Sequence, residues 1–104
     1  MVVSTLRRVT TVRDPQEWQR RSDALVARLV PYLERQPGFA GHELQRDGDG
    51  GRMAEVTRWR TDADLRHYLR DGAAAMAATM LDAFFPTAPY PDGTWVRETV
   101  ERPE

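Results

Sequence analysis

The chain has 104 residues, a net charge of −1 and no cysteine, which bounds it to one domain, residues 1–104, built on a single core. Without cysteine there is no disulfide framework, no thiolate nucleophile and no Cys-based metal site. No apolar run approaches the roughly 20 residues of a membrane span, no signal-peptide pattern opens the chain, and no basic tract interleaves with aromatics, so we expect a cytoplasmic protein that binds neither membrane nor nucleic acid.

Val2 to Val12 is rich in Val and Thr and predicts a first strand with apolar residues on both faces, interrupted by Arg7 and Arg8. Asp14-Pro15-Gln16-Glu17 then reads as a helix start, with Asp as cap, Pro at the first helical position and Glu closing a capping box. Trp18, Ser22, Leu25, Val26, Leu29, Tyr32 and Leu33 follow at helical spacing as one apolar stripe. Pro31 is expected to kink this helix near Val30, and the helix to end by Gln36, before Pro37-Gly38.

Two extended runs, Phe39 to Arg46 and Arg52 to Thr61, flank the cluster Asp47-Gly48-Asp49-Gly50-Gly51, a hairpin turn in which Gly and Asp accept positive φ. Alternation in the second run puts Met53, Glu55, Thr57 and Trp59 on one face. A carboxylate and an indole on one strand face can line a cavity as well as fill a core. Thr61 caps a second helix, with Asp64 at its third position and Leu65, Tyr68, Leu69, Gly72, Met76 and Met80 on one face. Asp71-Gly72 breaks this helix, and the second piece, Ala73 to Phe85, is poor in bulk. Pro86 to Gly93 is a stiff loop, and Thr94 to Glu101 a last strand placing Trp95, Arg97 and Thr99 opposite Val96, Glu98 and Val100.

The order β-α-β-β-α-β predicts an α+β, ferredoxin-like fold: a four-stranded antiparallel sheet with two helices on one face. The other face keeps apolar residues and needs cover, for which a second copy of the chain is the economical solution.

Trp59 reads either as a core aromatic anchoring strand to helix or as a wall of a substrate pocket with an indole N–H to donate. Glu55, on the Trp59 face, is either a solvated strand carboxylate or a poised general acid or base under the helices. In the second case it is at least half buried and needs a partner: Arg7, Arg8 or Arg97 on neighbouring strands, or the Tyr68 hydroxyl. His42 shares a strand face with Ala40 and Leu44. His67 falls opposite Leu65, Tyr68 and Leu69 and so faces solvent or a partner. These two histidines, the only ones, lack ligand spacing, so no metal is expected. No phosphate-binding loop, dinucleotide fingerprint or serine elbow is present. Met76, Met80, Phe84, Phe85 and Tyr90 read as core or as an adaptable apolar surface for a flat ligand.

Pro37-Gly38-Phe39, Gly41, the strand to Leu44, Arg58-Trp59-Arg60-Thr61, Asp62-Ala63-Asp64-Leu65 and Tyr68-Leu69 together resemble the antibiotic biosynthesis monooxygenase family of dimeric α+β barrels. The resemblance covers most of the chain and implies a homodimer acting on a small hydrophobic, polyketide-derived aromatic substrate without a cofactor. It also divides the family's chemistries. Cofactor-free anthrone-type oxygenases are similar at Trp59 but carry Asn where Glu55 stands. Haem degraders carry Trp at the position of Tyr68 and a ligating His near the end of the second helix, where this chain has Ala77-Ala78-Thr79. The expectation is a cofactor-independent monooxygenase of antibiotic biosynthesis, with Glu55, Trp59 and Tyr68 as catalytic residues and Thr57, Leu65, Met76, Met80 and Phe84 lining the substrate site. A cyclase or isomerase acting without oxygen, and a non-catalytic binding protein, are the competing readings.

Overall fold

A computed structural model describes residues 1–48 and 51–88, together with the backbone of 96–101. Four strands, β1 (Val2–Val9), β2 (Phe39–Asp47), β3 (Arg52–Trp59) and β4 (Val96–Glu101), alternate with three helices, α1 (Pro15–Glu34), α2 (Asp62–Arg70) and α3 (Ala73–Phe84). The strands pair in the order β2-β3-β1-β4, antiparallel at each step. This is the ferredoxin-like α+β arrangement, with the second helical segment split in two.

Local chemistry accounts for the helix boundaries. The Asp14 carboxylate accepts a hydrogen bond from the Glu17 amide at 2.9 Å, and Pro15 opens α1. The Glu17 side chain does not complete a capping box. It pairs instead with Arg20 and Arg21, one helical turn on. Pro31 stays within α1 on its exposed side, and the helix runs on to Glu34. The Thr61 hydroxyl accepts from the Asp64 amide at 3.1 Å to start α2. Gly72, at φ 90°, breaks the helix where Asp71-Gly72 predicts it.

That break also changes which residues face inward. The single stripe expected through Leu69, Gly72 and Met76 does not form. Leu69 and Met76 are 39% and 48% exposed, and α3 buries Ala73, Ala77 and Leu81 instead. The first strand is shorter than expected, ending at Val9 rather than Val12. Beyond it the Thr10 amide donates to the Gly51 carbonyl, while the Thr11 amide and Thr10 hydroxyl donate to Pro86. The backbone there has turned toward the chain that follows α3. The expected loop residues Pro89 to Gly93, including Tyr90, and the strand start at Thr94 and Trp95 lie outside the described residues.

One sheet face is covered by the helices. Val2, Leu6, Met53 and Trp59 from the strands meet Leu25, Leu29 and Leu33 of α1, Leu65 and Tyr68 of α2, and Ala73, Ala77 and Leu81 of α3. The small α3 side chains let that helix approach closely. The opposite face carries Val3, Thr5 and Arg7 of β1 beside Ala54, Val56 and Arg58 of β3.

The Pro37-Gly38-Phe39 motif and the start of α2 are one packed unit. The Arg60 amide donates to the Gly38 carbonyl at 2.8 Å. Gly38 adopts φ 77°, and a Cβ there falls 2.5 Å from Cβ of Asp64, in the first turn of α2. A side chain at this position meets both backbone strain and steric overlap. Gly48, in the hairpin turn at φ 68°, has open space around it. Gly38→Ala is therefore expected to lower stability by roughly 2–4 kcal/mol and Gly48→Ala by about 1 kcal/mol. Parallel urea denaturation of the two variants checks this, and equal midpoints count against the packing role of Gly38.

Candidate functional site

Strand register sets the side chains under the helices in four rows. Val2, Trp59 and Phe39 form one, then Ser4, Thr57 and His42, then Leu6, Glu55 and Leu44, and finally Arg8, Met53 and Arg46. The two middle rows are unusual for a core face. Ser4 and Thr57 are 0% and 1% exposed, and the side chains of His42 and Glu55 are 2% exposed each. A sheet face buried by helices is normally apolar, because each unpaired polar group there costs about 1–3 kcal/mol.

Glu55 has a partner, and it is not among the groups expected. His42 Nε2 lies 3.3 Å from Glu55 Oε2. Arg8 stands one row along and enters the pair's surroundings by charge rather than by a direct bond. Its guanidinium meets Asp82 of α3 at 2.8 Å and donates to the Thr87 hydroxyl. Burial lowers the pKa of Arg8, while the negative charges of Asp82 and then Glu55 act in the opposite direction. His42, Glu55, Arg8 and Asp82 thus carry alternating charge capacity from the β2 edge of the sheet to α3.

His42 reaches this face by the hairpin register, two residues along from Leu44, while an irregularity in β2 brings Phe39 to the same face. The ladder pairs Phe39 with Trp59 and Gly41 with Arg58, so Ala40 is an extra residue that bulges out and is exposed. Strict alternation puts Ala40 and His42 together and Phe39 opposite. With the bulge, Phe39 and His42 both point under the helices. The detectable signal lay in the hairpin register: pairing Asp47 with Arg52 carries Leu44 to Glu55 and His42 to Thr57.

Trp59 is fully buried, and its ring lies 4.5 Å from that of Tyr68, tilted by 30°, with Phe39 edge-on at 5.7 Å. The indole N–H donates to the Thr57 hydroxyl at 2.9 Å, so this donor, expected for a substrate, is committed within the strand. Glu55, Thr57 and Trp59 share the helix-covered face of β3, and Leu65 and Tyr68 of α2 belong to the same core as Trp59, each at most 3% exposed. Met76 is not in this group, for the reason given above. Met80 and Phe84 are half-buried against the core. Phe84 lies by α1, with the Arg28 guanidinium 5.8 Å from its ring centre and Arg21 bonded to its carbonyl.

The outer sheet face is concave. A cavity of about 710 Å³ lies near the hairpin end beside Arg7, Val9, Gln45, Arg52 and Ala54, and one of about 180 Å³ beside Val3, Thr5, Val56 and Arg58. Neither is lined by Glu55, Trp59 or Tyr68.

The donor set does not fit haem ligated from the second helix. The stretch Ala77-Ala78-Thr79, which the family resemblance sets against the haem-ligating position, offers no imidazole, and Ala77 is buried. The helical His67 turns outward, as expected, and its Nδ1 is 2.7 Å from Asp71 on the α2 surface. His42 is engaged by Glu55.

Comparison with solved structures places this geometry among known folds. SnoaB, a cofactor-independent oxygenase from Streptomyces nogalater, superposes with a TM-score of 0.62 at 23% identity, covering 99% of this chain and 94% of that one. A protein from Bordetella bronchiseptica described as a monooxygenase of antibiotic biosynthesis gives 0.68 at 17% identity, covering 99% and 97%. MhuD, a haem degrader from Mycobacterium tuberculosis with two haems bound in its active site, gives 0.62 at 22% identity, covering 98% and 95%. These are likenesses of fold. No curated protein sequence matches the chain. Residues 5–79 match the sequence model of the antibiotic biosynthesis monooxygenase family, and the chain belongs to that family.

Proposed function

We propose that the protein is a cofactor-independent oxygenase acting on a hydrophobic, enolisable aromatic substrate of the polyketide type. The observation that carries this reading is the buried Glu55–His42 pair, 3.3 Å apart on the sheet face that also carries the Trp59–Tyr68 stack. A carboxylate and an imidazole kept from water beside two aromatic faces suit removal of a proton from a flat, weakly acidic substrate. The resulting carbanion is electron-rich enough to reduce O2 directly. Oxygen adds at that carbon, the hydroperoxide takes up a proton, and loss of the second C–H proton with O–O cleavage leaves a carbonyl and water. In this reading Trp59 and Tyr68 hold the ring, Thr57 fixes the indole, and Leu65 with Met80 and Phe84 supply apolar surface. Met76 is left out because of its exposure. Because Leu65 and Tyr68 roof the strip, substrate reaches it by displacement of α2, a nine-residue helix whose ion pairs Asp62–Arg66 and His67–Asp71 close within the helix and its cap.

The same acid–base pair supports cyclisation or isomerisation, in which the carbanion attacks within the substrate and no oxygen is consumed. Close packing of Trp59 and Tyr68, both at most 1% exposed, favours the third reading, a non-catalytic binding protein. Glu55→Gln separates these readings, since it keeps shape and removes the ionisable group. Using dithranol, a dihydroxyanthrone, as probe, we expect native protein to accelerate oxygen uptake and Glu55→Gln to slow it at least tenfold, about 1.4 kcal/mol in the barrier, with the fold unchanged. Dithranol consumed without oxygen uptake supports the isomerase reading. No acceleration by native protein counts against catalysis on this substrate class.

Assembly as a homodimer is part of the same proposal. Val3, Ala54 and Val56, each at most 7% exposed in the single chain, lie at the centre of the outer face, bordered by Arg7, Arg58, Glu43 and Gln45. Face-to-face packing of two such sheets covers it and yields the dimeric α+β barrel. Sedimentation equilibrium at micromolar concentration is expected to give twice the chain mass of 11.9 kDa, and a single-chain mass contradicts the assembly.

A further inference from the structure

We infer that the atom taking the proton is Nδ1 of His42, and that Glu55 is its positioning residue rather than the base. This rests on the proton-abstraction reading above and assigns the step to a different side chain.

Three features carry it. The first is position. His42 is in the row with Thr57, next to the row of Trp59, whereas Glu55 lies one row farther from the aromatic wall. The base nearest a ring held by Trp59 and Tyr68 is the imidazole. The second is hydrogen-bond chemistry. An ionised Glu55 only accepts, and the 3.3 Å contact with its Oε2 then puts the hydrogen on His42 Nε2. Neutral imidazole then carries its lone pair on Nδ1, the basic atom. The third is charge. When Nδ1 takes a proton, the imidazolium forms against a buried carboxylate that is already in contact with it. Glu55 itself sits between His42 and the Arg8 charge, which suits an orienting role better than repeated protonation. The arrangement parallels the way an orienting carboxylate fixes the tautomer of a catalytic histidine and supports its charged form.

The proton balance is complete within the pair. Substrate C–H breaks, the electron pair stays on carbon, and the proton moves to Nδ1. Nε2 keeps its hydrogen bond to Glu55 throughout. The same proton is available to the peroxide formed when oxygen adds.

His42→Gln is the decisive variant. Its amide nitrogen can keep the hydrogen bond to Glu55, so the buried carboxylate retains a partner, but it has no basic atom. Three readouts distinguish a base from a packing residue. Nitrogen NMR of native protein without substrate is expected to show the hydrogen of neutral His42 on Nε2, and an Nδ1–H tautomer overturns the inference irrespective of activity. Under nitrogen in heavy water, native protein is expected to accelerate deuterium exchange into the dithranol methylene, and His42→Gln to lose that acceleration at least a hundredfold while Glu55→Gln loses less. In air, oxygen uptake is expected to fall in parallel, through kcat with KM little changed. Exchange without oxygen uptake by native protein leaves His42 as base and removes the oxygenase reading. Oxygen uptake undiminished in folded His42→Gln removes His42 and leaves the oxygenase reading standing. Native protein that catalyses neither process overturns both. Should His42→Gln fail to fold, His42→Asn provides the second variant, judged by the same exchange assay.

Discussion

A carboxylate buried between a sheet and its helices has to be paired, and this requirement organises the interior of the protein. Glu55 is 2% exposed at its side chain. Leaving such a group unpartnered costs about 3–5 kcal/mol, a large share of the stability of a small domain. His42 meets the requirement from the neighbouring strand because the β2–β3 hairpin has one register. A one-residue slip of β2 turns His42 to the opposite face. The pairing of Asp47 with Arg52 at the turn is therefore as necessary to the pair as the two side chains themselves.

Around this pair the interior divides its labour. Aromatic surface comes from Trp59, Tyr68 and Phe39, and the Thr57 hydroxyl satisfies the indole that would otherwise be a buried unpaired donor. Alanines on α3 give up volume, which lets that helix lie close and brings Asp82 within 2.8 Å of Arg8. The Gly72 break is what allows two short helices of different facing to cover one sheet. Leu69 and Met76 are left on the surface as a consequence.

The fold is shared with proteins as different as a cofactor-independent oxygenase and a haem degrader, so architecture sets where chemistry can occur and the local side chains set which chemistry. Here the helix-covered face of the sheet carries Ser4, Thr57, His42, Glu55 and Arg8 on its strands.

Much of this was legible in the sequence. Period-two and helical spacings gave the element order, Asp14-Pro15 and Thr61 the helix starts, and Asp71-Gly72 the break, because each depends on interactions within a few residues. The shared face of Met53, Glu55, Thr57 and Trp59 follows from strand geometry alone, and so does the burial of Glu55 once helices cover that face. The partner of Glu55 did not follow. The Arg candidates are reasonable by charge and Tyr68 by its hydroxyl, but His42 is thirteen residues away and meets Glu55 through the cross-strand register, which alternation within one strand does not specify. Likewise Met76 belongs to a helical stripe only if the helix continues, and the left-handed Gly72 rotates it outward. Short-range preferences determined the elements, whereas cross-strand register and the angle between two helix fragments, which no local spacing encodes, decided which residues meet.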